Sequence, residues 1–101
     1  MEKISVWYNK LSGSLKLDSL PDLLKYFYAN ENQFSGSVDL IRLPAAMENL
    51  FLGSNRLSGS VVLTHLPGSL QAFGLSNNQL NGALDLTRLP SSMSGLWLER
   101  A

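Results

Sequence analysis

Apolar residues return along this chain with a period of 23. Counting from Met1, the first position of the period is Met1, Leu24, Met47, Leu70 and Met93. The fourth is Ile4, Phe27, Leu50, Phe73 and Leu96, and the sixth is Val6, Ala29, Leu52, Leu75 and Leu98. The eleventh is Leu11, Phe34, Leu57 and Leu80. Positions 15, 17 and 20 are apolar in all four complete units. Between these sit fixed polar and turn-forming residues: Asn9, Asn32, Asn55 and Asn78 at the ninth position, Gly13, Gly36, Gly59 and Gly82 at the thirteenth, and Pro21, Pro44, Pro67 and Pro90 at the twenty-first. A fixed period of 20–50 residues is the mark of stacked repeats. The units run 1–23, 24–46, 47–69 and 70–92, with a partial fifth at 93–101, as one domain.

The elements follow from the alternation. Apolar positions 4 and 6 with polar neighbours read as a strand with one buried face. One such strand per unit must pair with its copies in parallel, so adjacent coils lie about 4.8 Å apart. An inward Asn at each ninth position then meets its copies in a ladder, where its amide can both donate to and accept from the bending backbone. Gly at the thirteenth position suits a left-handed or crowded bend, and Pro at the twenty-first ends the return segment. Positions 15 and 17 predict a short extended stretch on that return side. One local signal disagrees: Leu20, Leu23, Leu24 and Phe27 have helical spacing. The repeat overrides it, leaving at most a single 3-10 turn near Pro21 and its equivalents.

Each unit reads L-x-x-L-x-L-x-x-N-x-L. In this the chain resembles the leucine-rich repeat, and "LFLGSNRLSGSV" (50–61) and "FGLSNNQLNGAL" (73–84) carry the resemblance most closely. The continuation "LDLTRLP" is similar to 23-residue repeats found in large repertoires in unicellular eukaryotes. The resemblance implies a repeat solenoid: a right-handed coil, a parallel β-sheet on the concave face, and extended or 3-10 segments with little or no α-helix on the convex face. It also implies partner binding on the concave strands.

Outward strand positions 3, 5, 7 and 8 collect the aromatic residues that the core does not use. Trp7, Tyr8, Tyr26, Tyr28 and Phe51 gather over the first three units and are the candidate partner-binding residues. The fourth unit, with Ala72, Gly74 and Ser76, reads as nearly bare, and Trp97 as standing alone on the last strand. Grouped exposed aromatics mark interfaces. On the opposite side Asp39–Arg42 and Asp85–Arg88 read as surface ion pairs, and His65 as an ordinary surface residue.

Composition narrows the function. With 8 basic and 8 acidic side chains the formal net charge is zero, which argues against binding driven by charge to nucleic acid or membrane. The chain has no Cys and one His, so no thiolate or His-based metal site is expected, nor any cofactor. Asn is frequent, but N-x-[ST] never occurs. A cytoplasmic setting fits, as does a fragment of a longer secreted or surface protein. With no nucleophile motif and no phosphate-binding loop, the expectation is a protein that is not an enzyme.

The chain enters a repeat at Met1 and ends just after a consensus strand, with no capping segment, so Leu96, Trp97 and Leu98 are expected on an open edge. Two uses fit: a protein-interaction module with an aromatic concave face, or a structural protein that forms homo-oligomers through its ends and that face.

Overall fold

The computed structural model describes residues 2–82 and 84–101; Met1, expected in the core, lies outside them. Each coil opens with a three-residue strand carrying the fourth-position apolar residue. These are β1 (Lys3–Ser5), β3 (Tyr26–Tyr28), β5 (Asn49–Phe51), β7 (Ala72–Gly74) and β9 (Gly95–Trp97). They form one parallel five-stranded sheet in that order. Its register is the repeat itself: Ile4 lies opposite Phe27, Phe27 opposite Leu50, Leu50 opposite Phe73, and Phe73 opposite Leu96. The molecule is therefore a β-solenoid of about four coils, and the extents of 32 × 30 × 21 Å reflect the short stack.

A second parallel sheet follows each corner: β2 (Ser12–Gly13), β4 (Gln33–Gly36), β6 (Arg56–Gly59) and β8 (Gln79–Leu80). It lies earlier in the repeat than the extended stretch expected at positions 15 and 17. Its register also differs. Ser12 pairs with Gln33 and not with Ser35, and Ser35 pairs with Arg56. Positions 15 and 17 still point inward in the first three coils, burying Leu17, Val38, Leu40, Val61 and Leu63 outside any strand, whereas Leu86 in the fourth is 48% exposed.

The corner between the sheets explains the fixed Asn. Asn55 Nδ2 donates to the carbonyls of Leu52 in its own coil and Ala29 in the preceding one, both at 3.0 Å. Its Oδ1 accepts from the Phe34 N–H at 3.1 Å. Asn32 and Asn78 repeat the pattern one coil away. Among the described residues Asn9 bonds within its own coil, to the Val6 and Trp7 carbonyls. In the last coil Ala101 holds the ninth position, and its backbone N–H meets the Leu98 carbonyl.

The residue at the eighth position of each coil adopts positive φ: Tyr8, Glu31, Ser54, Asn77 and Arg100 all lie between 54° and 59°. Position 8 is thus a left-handed corner and not an outward strand position, which corrects the placement of Tyr8. The glycines at the thirteenth position take φ of 75–90° as expected. A Cβ on Gly13 or Gly36 would meet nothing nearby. The demand for glycine there is conformational and not steric.

On the return side the carbonyl of each Pro accepts from the N–H three residues on, as in Pro21 to Leu24 at 3.1 Å. This closes a tight turn where the helical spacing competed. Leu24 and Phe27 are buried, whereas Leu23 is 71% exposed, so the repeat prevails. The 3-10 turn spans Leu17–Ser19, upstream of Pro21. The expected Asp–Arg ion pairs are not found among the described residues. Asp39 instead accepts from the Ile41 N–H, and Asp85 from both the N–H and hydroxyl of Thr87. A short side chain two residues from a free N–H closes a local turn more readily than it reaches across solvent.

The core is a column of stacked apolar rows with Leu24, Met47, Leu50, Leu57, Leu70 and Phe73 fully buried. Each such side chain contributes about 1.5–3 kcal/mol relative to exposure. Burial declines toward both ends: Ile4 and Val6 at one, Leu96 and Leu98 at the other, are half-buried.

Candidate functional site: an aromatic row on the five-stranded sheet

Strand alternation turns positions 3 and 5 to the outer face of the five-stranded sheet. At position 5, Tyr28 on β3 and Phe51 on β5 are stacked, with ring centroids 5.4 Å apart and planes 12° from parallel. The Tyr28 hydroxyl accepts from Asn49 Nδ2 at 3.0 Å, which fixes the ring. Lys3 Nζ lies 5.5 Å from its centroid, a cation–π contact.

Trp97 does not stand alone. Its ring centroid is 5.6 Å from that of Phe51, tilted by 50°. The two residues sit on β5 and β9, whose backbones are two strand spacings apart, about 9.6 Å. Gly74 on the intervening strand β7 makes the bridge possible. A Cβ there would lie 3.1 Å from Phe51 Cδ1 and 3.9 Å from Trp97 Cβ. Gly95 plays the same part below the indole, because a Cβ there would fall 2.6 Å from Trp97 Cη2. The unit that reads as bare is the floor over which the aromatic row Tyr28–Phe51–Trp97 closes. A glycine at an outward strand position between aromatic neighbours was the available signal, since aromatic rings cover strand glycines.

The remaining candidates divide. Trp7, 53% exposed, packs against Tyr8 at 5.9 Å to form a separate pair at the first-coil rim. Tyr26 is half-buried at position 3 between Lys3 and Asn49 in register. Leu96 and Leu98 turn toward the margin of the core, whereas Trp97 faces outward, so the three expected edge residues split between two faces.

Two shallow depressions flank Phe51. The first is lined by Lys3, Ser5, Trp7, Tyr28 and Asn30 with Phe51. The second lies beside the Phe51 and Trp97 rings and is lined also by Gly53, Gly74, Ser76, Glu31 and Glu99. The Ser76 hydroxyl donates to Glu99 Oε2 at 2.7 Å. That bond, with a smaller contribution from the backbone amide of Glu99, holds the carboxyl below its ordinary range. The first depression is therefore bordered by a cation and the second by carboxylates.

Elsewhere the chemistry is sparse. His65 is exposed, with Nδ1 3.0 Å from the Thr64 hydroxyl. Lys25 and Glu2 form an exposed ion pair at 3.5 Å, worth about 0–1 kcal/mol. Among the described residues no three His, Asp or Glu side chains gather as a metal site, and no helix is long and apolar enough to cross a membrane. A second small ladder, silent in the sequence, joins the coils on the return side. Ser69 Oγ donates to the Met47 carbonyl at 2.7 Å, and Ser92 Oγ to that of Leu70 at 2.9 Å.

Fold and surface together define the class: a repeat protein built as a parallel β-solenoid, with an aromatic row on one sheet. No protein-family model matches the chain, and comparisons with curated proteins and with solved structures likewise find no match.

Proposed function

We propose that the chain is a short leucine-rich-repeat protein of the 23-residue kind, and that it works as a non-enzymatic protein-interaction module. The partner lies on the outer face of the five-stranded sheet. One observation carries this reading: the continuous row Tyr28–Phe51–Trp97, incompletely buried on a rigid parallel sheet with polar residues on either side. Aromatic side chains bring about 150–250 Å² of surface each and dominate interface energetics. Their rotamers are already restrained by stacking and by the Asn49 bond, so little further ordering is needed on binding.

Tyr28→Ser with Phe51→Ser tests it. Both side chains lie outside the core, so circular dichroism and the melting temperature should stay near those of the parent. The proteins retained by the parent in a quantitative pull-down should be lost, while Arg42→Ala on the return side keeps them. An unchanged retained set removes the sheet-face reading.

Self-association is a second reading. Strand β9 is an edge of the sheet, and its inward-turned Leu96, with neighbouring Leu98, is only half-buried. Pairing of two copies through that edge would continue the sheet. Light scattering across a hundredfold concentration range should then show a defined oligomer that Leu98→Asp dissociates. A monomer throughout rules this reading out.

A further inference from the structure

We infer that the depression beside Phe51 and Trp97 is the seat of an arginine side chain from the partner, its guanidinium stacked on an exposed ring face and bonded to the Glu99 carboxylate. The inference rests on the sheet-face reading above and adds the chemistry of what is recognised there.

Three features on this surface select the occupant. The first is the pair of walls. Phe51 and Trp97 are inclined by 50° at 5.6 Å and line one depression together. Ring faces carry negative potential and attract a cation placed over them, indole most strongly. Trp97 remains 45% exposed, so a face is available.

The second is charge. Glu99 and Glu31 both line the depression, and no Lys or Arg does. Ser76 engages Glu99 Oε2, yet a carboxylate offers about four acceptor sites, so capacity remains for an incoming donor. An exposed carboxyl is ionised in the neutral range in any case, and the Ser76 bond lowers its pKa further. On the far side of Phe51, Lys3 sits against Tyr28 and disfavours a second cation there. The row is polar along its length, and a cationic group is directed to the Trp97 end.

The third is shape. Gly53 and Gly74 form part of the lining, and a Cβ on Gly53 would press to 3.1 Å from the Ser76 carbonyl oxygen. A low floor beside inclined rings suits a flat group laid along them. A guanidinium is planar, stacks on aromatic faces and presents its donors as a fork that matches a carboxylate. An ammonium is a compact, strongly hydrated point charge and uses neither the plane nor the fork.

The test uses the full chain, labelled with ¹⁵N, and Nα-acetyl-arginine amide as probe, followed by two-dimensional amide spectra. The Trp97 indole N–H, assigned by Trp97→Phe, and the amides of Gly53 and Gly74 should shift and saturate, with the Trp7 indole unmoved. Acetyl-citrulline amide, neutral but of the same shape, should give no saturating shift, and acetyl-lysine amide a weaker one. Glu99→Gln should weaken the arginine response by up to about fivefold, as expected for loss of an exposed ion pair. Equal responses to citrulline and arginine, equal shifts at Trp7 and Trp97, or no saturating response overturn the arginine seat. If the probe fails but Tyr28→Ser with Phe51→Ser still abolishes partner retention, only the arginine inference falls. If the probe saturates but that double variant retains its partners, only the sheet-face reading falls.

Discussion

At the scale of the residue, the repeated Asn is a backbone connector whose worth depends on its neighbours. Removing the Asn55 amide strands the Phe34 N–H outright, while the Ala29 and Leu52 carbonyls each keep a bond from Asn32 or Asn78. An unsatisfied buried group costs about 1–3 kcal/mol. Asn55→Leu should therefore destabilise the chain by about 2–3 kcal/mol in urea titrations, and Asn9→Leu, at an exposed position, by less than about 1 kcal/mol. Equal losses would mean the ladder between coils adds nothing. The carboxyls make a pH prediction. Asp85 is held low chiefly by Thr87, and Glu99 chiefly by Ser76. A depressed folded pKa adds stability that is complete above the ordinary carboxylate range, about pH 4, and lost as pH falls through the folded value. Stability should be flat from neutral pH to about 5 and decline below about 4. Ser76→Ala with Thr87→Ala should raise both carboxyl titrations toward their ordinary values, read by carboxyl NMR.

At the scale of the element, strand alternation and the turn glycines were legible because period two and the φ of Gly act locally. The strand positions of Phe27, Leu50 and Phe73 follow from apolar spacing alone. The second sheet was not legible, because its strands, such as Ser12–Gly13 and Gln79–Leu80, are too short to show an alternation and pair with a shifted register. The left-handed corner was hidden because Tyr, Glu, Ser, Asn and Arg share no propensity that announces it. The Trp97–Phe51 contact was hidden for a related reason: a glycine in a strand reads as absence, whereas here it is room. Gly74→Val tests that reading. A β-branched residue suits a strand and Gly74 carries no positive φ, so the melting temperature should change little. Phe51 must move, and Trp97 should lose its cover, with its fluorescence shifting to the red. Unchanged emission would mean the rings do not depend on the gap.

At the scale of the whole molecule, the coils pair strand to strand with their neighbours, and among the described residues the one ring contact that spans a coil is Phe51–Trp97 on the outer face, so stability is distributed along the stack and not held at one centre. Burial peaks around Leu50, Leu52, Leu57 and Phe73 and falls off at Val6. Hydrogen exchange should follow. The Leu52 N–H, bonded to the Gly74 carbonyl, should exchange about tenfold or more slower than the Val6 N–H, bonded to that of Tyr28. Uniform protection would indicate one all-or-none unit. The overall architecture was the most legible level, because a repeat states its own stacking. The aromatic row was the least, because it depends on which outward side chains lean across a neighbouring strand.

The corner at position 8 has a consequence for how such a chain can change. Five unlike side chains, those of Tyr8, Glu31, Ser54, Asn77 and Arg100, stand at one backbone geometry in successive coils. A left-handed L-residue costs about 1–2 kcal/mol, and each coil bears that strain whichever side chain it carries. The bend recurs at Arg100, where Ala101 follows in place of Asn, so it is imposed from outside by the sheet it leaves, and the letter written there is free. The rim behaves as a line of movable type: its text can be reset coil by coil while the page stays the same.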